Sequence, residues 1–352
     1  MRIALYHIFK KNGIFLLSLL LCFIGIKIFT MYNISDSMKT DALNIWISQC
    51  DGLDYKQISQ YISTLGSDIL TNEEVDRSIV NQYSKFNNSY RNYKNVNNLI
   101  SFSKIKEGEL PTKLPPNYME QLDFYQKLNP PKLINEESVS KYFKLQEFSV
   151  MPILVIILIA FFSGSYYETE MYKVSIASPN GKKFIKYMIT IIVSICVCLL
   201  FINEFFDLCF SGLLIDRITM QASIQSYSLF ANSQINLSML KCLTYIFLCK
   251  ILGLLVLTEI VYCFAKKHKN TKDTLITSLG FLLICFLIGK ALSETPYSSL
   301  FQLGIVNWEA VVKNISISSF WDTNTMFLGT MLMAIISTFF YVFIAKSHRK
   351  ML

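Results

Sequence analysis

Four ionisable residues stand inside strongly apolar runs of this chain: Lys27, Lys250, Glu259 and Lys290. A charge in such a run is expensive to bury, and where it persists it marks a substrate path, a proton relay or a charge partner. Lys27 and Lys290 lie near the ends of their runs, where a lysine stem can reach back toward polar surroundings. Lys250 lies deeper. Its distance along the chain from Glu259 matches neither i,i+3 nor i,i+4, so the two do not pair on one helix. A partner subunit or a lipid headgroup is the alternative to contact with a transported solute. Other chemistry is thinly represented. His7, His268 and His348 each sit in a basic flank, far apart along the chain. The nine cysteines include no Cys-x-x-Cys pair, and Cys196 and Cys198 point to different faces of a helix, so buried thiols are expected in place of a metal site or disulfide framework. Gly181-Lys182-Lys183 lacks the upstream glycine and the hydroxyl residue of a phosphate-cradling loop. With no paired Asp, His-containing metal motif or Ser/His set, an intramembrane enzyme is not expected either. No catalytic residue, metal or directly bound cofactor is therefore expected.

The elements that must position these residues follow from the composition. Of 352 residues, 52% are hydrophobic and 16% charged, with a net charge of +8; an ordinary soluble domain has about 25% charged residues. The apolar residues are bunched, and several runs reach the roughly 20 residues needed to cross a bilayer. Six spans are expected, at 14–31, 148–166, 187–205, 237–264, 275–292 and 326–345. The first run follows Arg2, Lys10 and Lys11 as a signal peptide would, but 28–34 offers no small-x-small cleavage site, so it reads as a retained anchor. Residues 1–13, with Leu5, Ile8 and Phe9 on one face, suit an interfacial helix. The N-terminal tail, the loops after spans two and four and the C-terminal tail carry fourteen Lys and Arg, against Arg217 and Lys313 alone in the alternate short loops. By the positive-inside rule both termini are cytoplasmic, in a multi-pass protein of a bacterial-type cytoplasmic membrane. The positive charge thus records topology and implies no nucleic-acid partner. Tyr32, Tyr166, Tyr167, Tyr187, Tyr297 and Trp321 fall near span ends, where amphipathic rings favour the headgroup layer.

The segment 32–147 is different. It is rich in Asn, Ser, Lys, Glu and Tyr, and its 13 basic and 15 acidic residues nearly cancel. This composition predicts a small helical domain on the extracellular side. Asp54-Tyr55-Lys56-Gln57 and Thr71-Asn72-Glu73-Glu74 both fit a capping box, with Leu53/Ile58 and Leu70/Val75 placed as hydrophobic staples. Ile58, Tyr61, Ile62 and Leu65 recur on one helical face, as do Val75, Ile79, Tyr83, Phe86 and Tyr90. Pro111, Pro115-Pro116 and Pro130-Pro131 mark turns.

The loop after span two is the most informative cytoplasmic piece. Glu168 and Glu170 suit the start of a short helix over 167–178, Ser178-Pro179-Asn180-Gly181 ends it, and Lys182, Lys183 and Lys186 open the next element. A plain hairpin connection with basic flanks reads equally well from these residues alone. The stretch also resembles the permease subunits of ABC-2 type ATP-binding-cassette transporters. In that family a Glu-led helix after span two, a Ser-Pro turn, a basic pair and a Lys opening span three form the coupling helix that docks on the ATPase subunit. The resemblance assigns Glu168, Glu170, Tyr172, Lys173, Pro179, Lys182 and Lys183 to ATPase coupling. Met171-Tyr172 departs from the family, many members having a Gly-Thr step there. Ile224-Gln225-Ser226-Tyr227 and Asn236-Leu237-Ser238 resemble the outer connection into span four, and Ile251-Leu252-Gly253-Leu254-Leu255 the body of that span.

The resemblance implies a dimer with a second permease copy, identical or not, driven by ATP on a separate ATPase subunit. It implies re-entrant helices over 297–320, for which a surface loop is the alternative, and a transport path along spans two and five. Met151, Phe161, Phe162, Lys250, Phe281 and Phe286 are the candidates for that path. Its apolar character points to an amphipathic or hydrophobic solute, such as a bacteriocin-like peptide or a lipid, moving outward. The competing class is a membrane sensor or immunity protein that binds an external ligand through 32–147. Short cytoplasmic loops leave no room for a signalling domain, so that reading also needs a partner.

Overall fold

The computed structural model describes residues 2–35, 41–71, 76–104, 118–128, 131–147, 150–169, 171–177, 181–231, 233, 235–292, 312 and 335. Among them the chain is all-helical, with one isolated bridge between Ser223 and Ser238 in place of any strand. The expected sixth span at 326–345 and the segment 297–320 lie outside the described residues, as do Glu170, Ser178, Pro179 and Asn180.

Among the described residues five helices are long and apolar enough to cross a membrane: Gly13–Asn33, Glu136–Glu168, Tyr187–Ser211, Met239–His268 and Thr271–Ile288. They belong to α1 (Arg2–Ser35), α6 (Glu136–Glu147) continued by α7 (Met151–Glu168), α9 (Gly181–Ser211), α11 (Met239–His268) and α12 (Thr271–Leu292). No helical break separates residues 2–13 from the first apolar run, so the expected interfacial helix and first span are one continuous α1. α7 begins with Pro152 in its first turn, where the missing N–H costs nothing and the fixed φ suits a helix. α11 starts under a Ser238 cap, whose side chain accepts from the Lys241 amide at 3.4 Å. It stops at Lys269, held at φ 56°, after Lys266, Lys267 and His268 in its last turn complement the helix dipole.

α7 is the middle of the bundle. Val155, Ile156, Ile159 and Ala160 are fully buried, against Leu254, Leu257, Val261 and Ala265 of α11 and Met188, Ile192 and Cys196 of α9 in one core. α1 by contrast leaves Ile14, Leu17, Leu21, Ile28 and Phe29 exposed, as α12 leaves Ile276, Leu283, Ile284 and Leu287. Tyr166 and Tyr167, read from the sequence as interfacial anchors, are instead buried in this core, 1% and 5% exposed. Tyr167 meets the Tyr262 hydroxyl at 3.1 Å, so both ends of each ring are used in packing. Tyr32 and Tyr187 stay exposed.

The polar segment forms α2 (Asp41–Cys50), α3 (Tyr55–Thr71), α4 (Arg77–Ser103) and α5 (Tyr118–Lys127) before α6 leads into the bundle. The first capping box is present with both bonds: Asp54 Oδ1 accepts from the Gln57 amide at 2.8 Å, and Gln57 Oε1 from the Asp54 amide at 2.9 Å. The second is corrected. Thr71 ends α3, its hydroxyl bonded back to the Ser67 carbonyl, and α4 is capped by Asp76 through the Ser78 amide at 3.2 Å. Val75 lies outside the described residues and Ile79 is exposed, so the buried apolar face of α4 begins later, with Phe86 and Tyr90, and continues through Tyr93, Val96 and Ile100. Phe86, Tyr90 and Tyr93 pack with Leu43, Ile47, Ile58 and Ile62, and Val96 and Ile100 with Leu128.

Between α9 and α11 the chain makes short turns of its own: α10 (Arg217–Gln221) and 3-10 turns at Ile224–Ser226 and Ser228–Phe230. Gln225 organises them by donating to the Ser233 and Ile235 carbonyls at 2.8 and 2.9 Å. The polar helices dock on this connection. Asn92 donates to the Gln225 and Ser226 carbonyls at 3.2 and 2.7 Å, the Lys132 amide to the Ser226 hydroxyl at 3.1 Å, and Asn236 to the Lys127 carbonyl at 3.3 Å.

Candidate functional site

Two side-chain constellations stand out, at opposite ends of the bundle. The first lies where α6 meets α1, α9 and α11. On α9, Asn203, Glu204 and Asp207 share one face, being spaced i, i+1 and i+4; on α6, Tyr142 and Gln146 do the same. Lys250 Nζ donates to Glu204 Oε1 at 2.5 Å and to Gln146 Oε1 at 2.7 Å, and lies 5.8 Å from the centre of the Tyr142 ring. Glu204 Oε2 accepts from Tyr142 at 2.7 Å and Gln146 at 3.3 Å. Asp207 Oδ1 accepts from Lys27 at 2.6 Å, and Asp207 Oδ2 from Gln146 at 2.9 Å and Asn203 at 3.0 Å. Every charged member is under 9% exposed.

The arrangement cancels two lysines against two carboxylates, and gives each carboxylate oxygen at least one donor. That is the condition under which ions tolerate burial. Lys250 is about 16 Å along a helix of about 45 Å, counting 1.5 Å per residue. The sequence offered a solute, a partner subunit or a lipid headgroup as the contact of Lys250; within this chain its charge partner is Glu204 of α9. Lys27 is likewise paired and buried in place of reaching to a polar surface. The sequence reading also missed Glu204 and Asp207. Their apolar neighbours Phe205 and Phe206 make 203–207 look like a run trailing into a loop; the signal was the shared face.

The second constellation closes the other end. α8 (Met171–Ala177) is a short helix between α7 and α9. Glu168, which the resemblance puts at the start of this helix, instead ends α7, and Glu168 Oε2 accepts from the Thr271 hydroxyl at 2.8 Å. Gly164 lies so close to the start of α12 that an added Cβ would come within 2.6 Å of the Thr271 Cα. Tyr172 packs at 5.6 Å from the Tyr167 ring, and Lys269 Nζ sits 5.7 Å from the centre of the Tyr172 ring. The departure Met171-Tyr172 is therefore filled by contacts: Met171 and Tyr172 both pack against the bundle core. Lys173 is exposed. Lys182 and Lys183 lie in the first turn of α9, and Pro179 and Glu170 fall outside the described residues.

The residues expected along a transport path are not brought together within one chain. Met151 and Phe162 face the core at 1% and 4% exposure. Phe161 stacks on Phe15 at 4.1 Å. Lys250 belongs to the buried ionic cluster. Phe281 packs edge-on to Phe264 at 6.0 Å, and Phe286 is exposed.

Compared with protein families, with curated proteins and with solved structures, the chain gives no match.

Proposed function

We propose that this chain is the membrane subunit of an ATP-driven exporter, working as a dimer with a second permease copy and with ATP bound on a separate ABC ATPase subunit. In this reading the chain crosses a bacterial-type cytoplasmic membrane six times with both termini inside, and 32–147 is an external helical domain. The observation that carries the proposal is the α8 junction. The seven-residue α8 after span two meets the span-four/span-five turn through Tyr172 with Lys269, and the adjoining end of α7 is tied to the start of α12 through Glu168 with Thr271. A push on α8 would therefore be delivered to α7 and α12 together, as an engine on another chain requires. Glu204 and Asp207 are buried acids of the kind a proton relay would use. Both acids are held by lysines, and an ionic tie between helices accounts for them without a relay.

The solute is an amphipathic or hydrophobic molecule, such as a bacteriocin-like peptide or a lipid, because the helices expected to line the path are almost wholly apolar. Affinity purification of the intact chain from its native membrane is expected to recover an ATPase, and Glu168→Lys to release it. Recovery of a kinase with no ATPase would overturn transport in favour of a membrane sensor or immunity protein. What favours that second reading is the polar domain, which hydrogen bonds lock directly to the 3-10 turns of the bundle and which could pass a binding event inward.

A further inference from the structure

The seam between the polar helices and the bundle contains a cleft of about 190 Å³, lined by Leu43 of α2, Lys85 of α4, Glu136, Glu137 and Ser140 of α6, and the 3-10 turn at Tyr227. Its charges do not balance. Lys85 Nζ is 3.3 Å from Glu137 Oε2, which uses that lysine. Among the described residues Glu136 has no cation. Its Oε2 accepts from the Ser228 hydroxyl at 3.1 Å, while Oε1 is buried and has no hydrogen-bond partner. A buried carboxylate oxygen left without a donor is costly and calls for an explanation in a folded chain.

From this imbalance we infer that the cleft is a recognition site for an alkylammonium group, with Glu136 as its counter-ion. The surplus charge is negative, which excludes an anion. A guanidinium prefers to grip both oxygens of one carboxylate, but Ser228 already holds one of them, so a single-point donor fits better. A divalent metal is disfavoured because Glu137 is committed to Lys85, and no group of three metal-ligating side chains occurs among the described residues. Leu43 supplies an apolar wall for the alkyl stem. The hydroxyls of Ser140 and Tyr227 supply acceptors; burial, with the Glu136 charge nearby, pushes the Tyr227 phenol up to about 12, so it stays protonated and neutral. The ammonium can be that of a small amine or that of a peptide, at its N-terminus or on a lysine. This site is independent of whether the chain transports anything.

The test uses the full chain in lipid nanodiscs, titrated calorimetrically with n-butylammonium, and with butanol, butyrate and butylguanidinium as comparisons. Saturable binding of butylammonium is expected, with butylguanidinium weaker and the other two silent. Glu136→Gln should weaken it about tenfold or more, since a charge-assisted bond becomes a neutral one. Lys85→Met, which frees Glu137, should tighten it, and Asp123→Asn on exposed α5 should change nothing. An acetylated lysine-containing tripeptide, an unacetylated triglycine amide and its acetylated form then separate the sources: binding by either of the first two points to a peptide, and binding by butylammonium alone to a small amine. The inference is overturned if butylammonium does not bind, which would mean that water alone satisfies Glu136. It is equally overturned if butanol binds, if butylguanidinium binds as tightly as butylammonium, or if neither Glu136→Gln nor Lys85→Met shifts the affinity in the stated direction.

Discussion

Removing the ammonium of Lys250 would leave Glu204 Oε1 facing a buried surround, with Tyr142 and Gln146 serving only Oε2. An uncompensated charge of this kind costs about 3–5 kcal/mol, whereas replacing both partners by apolar residues of similar size is often neutral. Lys250→Met is therefore expected to lower the unfolding free energy by about 3–5 kcal/mol, and Lys250→Met with Glu204→Leu to recover most of the loss. Equilibrium unfolding in mild detergent measures both; equal losses in the single and double variants would mean that the two groups do not pair. The companion bond, Lys27 to Asp207, matters for a different reason. α1 is exposed along much of its apolar surface, and Phe23, Phe15 and this ion pair are among the few points that hold it to the bundle. The depth of Lys250 was legible in the sequence, because a lysine inside an apolar run is visible in one dimension. Its partner was not, because pairing Lys250 with Glu204 depends on which face of α9 meets α11, and that is settled by the packing of Cys196, Leu199 and Leu200, not by local pattern.

The same limit governs where helices begin. Asp54 and Gln57 form the reciprocal box that their spacing predicts, since both bonds are local to one turn. Thr71 and Glu74 have the same spacing, yet Thr71 finishes α3, because a threonine hydroxyl can bond back to the carbonyl four residues earlier as readily as it caps a new turn. Asp76 takes the cap. Asp76→Ala is accordingly expected to cost about 1 kcal/mol, and Thr71→Ala to stay within about 0.5 kcal/mol, as for an exposed position without a capping role. Thermal unfolding followed by the near-ultraviolet signal of Trp46, which packs on Phe86 at 5.7 Å and Tyr83 at 6.5 Å, reports on this part of the chain. A larger loss at Thr71 than at Asp76 would restore the start read from sequence. At the level of elements, tertiary contact also decided the tyrosines. Tyr166 and Tyr167 end an apolar run as headgroup anchors do, but Tyr167 meets Tyr262 of α11 and Tyr172 of α8, and Tyr166 is buried in the same core, so both are covered by protein.

For the whole molecule, the connectivity fixes relative direction. α7 leads from the polar helices to α8, α9 returns, α11 descends from the connection at Ser238, and α12 starts again beside Glu168. The two ends differ in charge: Lys266, Lys267, Lys269 and Lys272 gather at the α8 end, whereas the connection at the other end carries Arg217. At 30 residues α11 is about 45 Å long, against a hydrocarbon core of about 30 Å, long enough for both termini to reach water in the proposed topology. Translocating four lysines is far costlier than translocating one arginine, so the proposed topology puts the α8 end on the cytoplasmic side. A cysteine placed at exposed Lys127 is expected to react with an impermeant maleimide in intact cells, and one at exposed Lys267 only after the membrane is opened. Native Cys22 and Cys198 are exposed only on apolar helices, where lipid would shield them, and the remaining thiols are more buried, so background labelling should be low. The reverse pattern would invert the orientation and move α8 away from any cytoplasmic ATPase, and labelling of both sites in intact cells would remove the membrane between them.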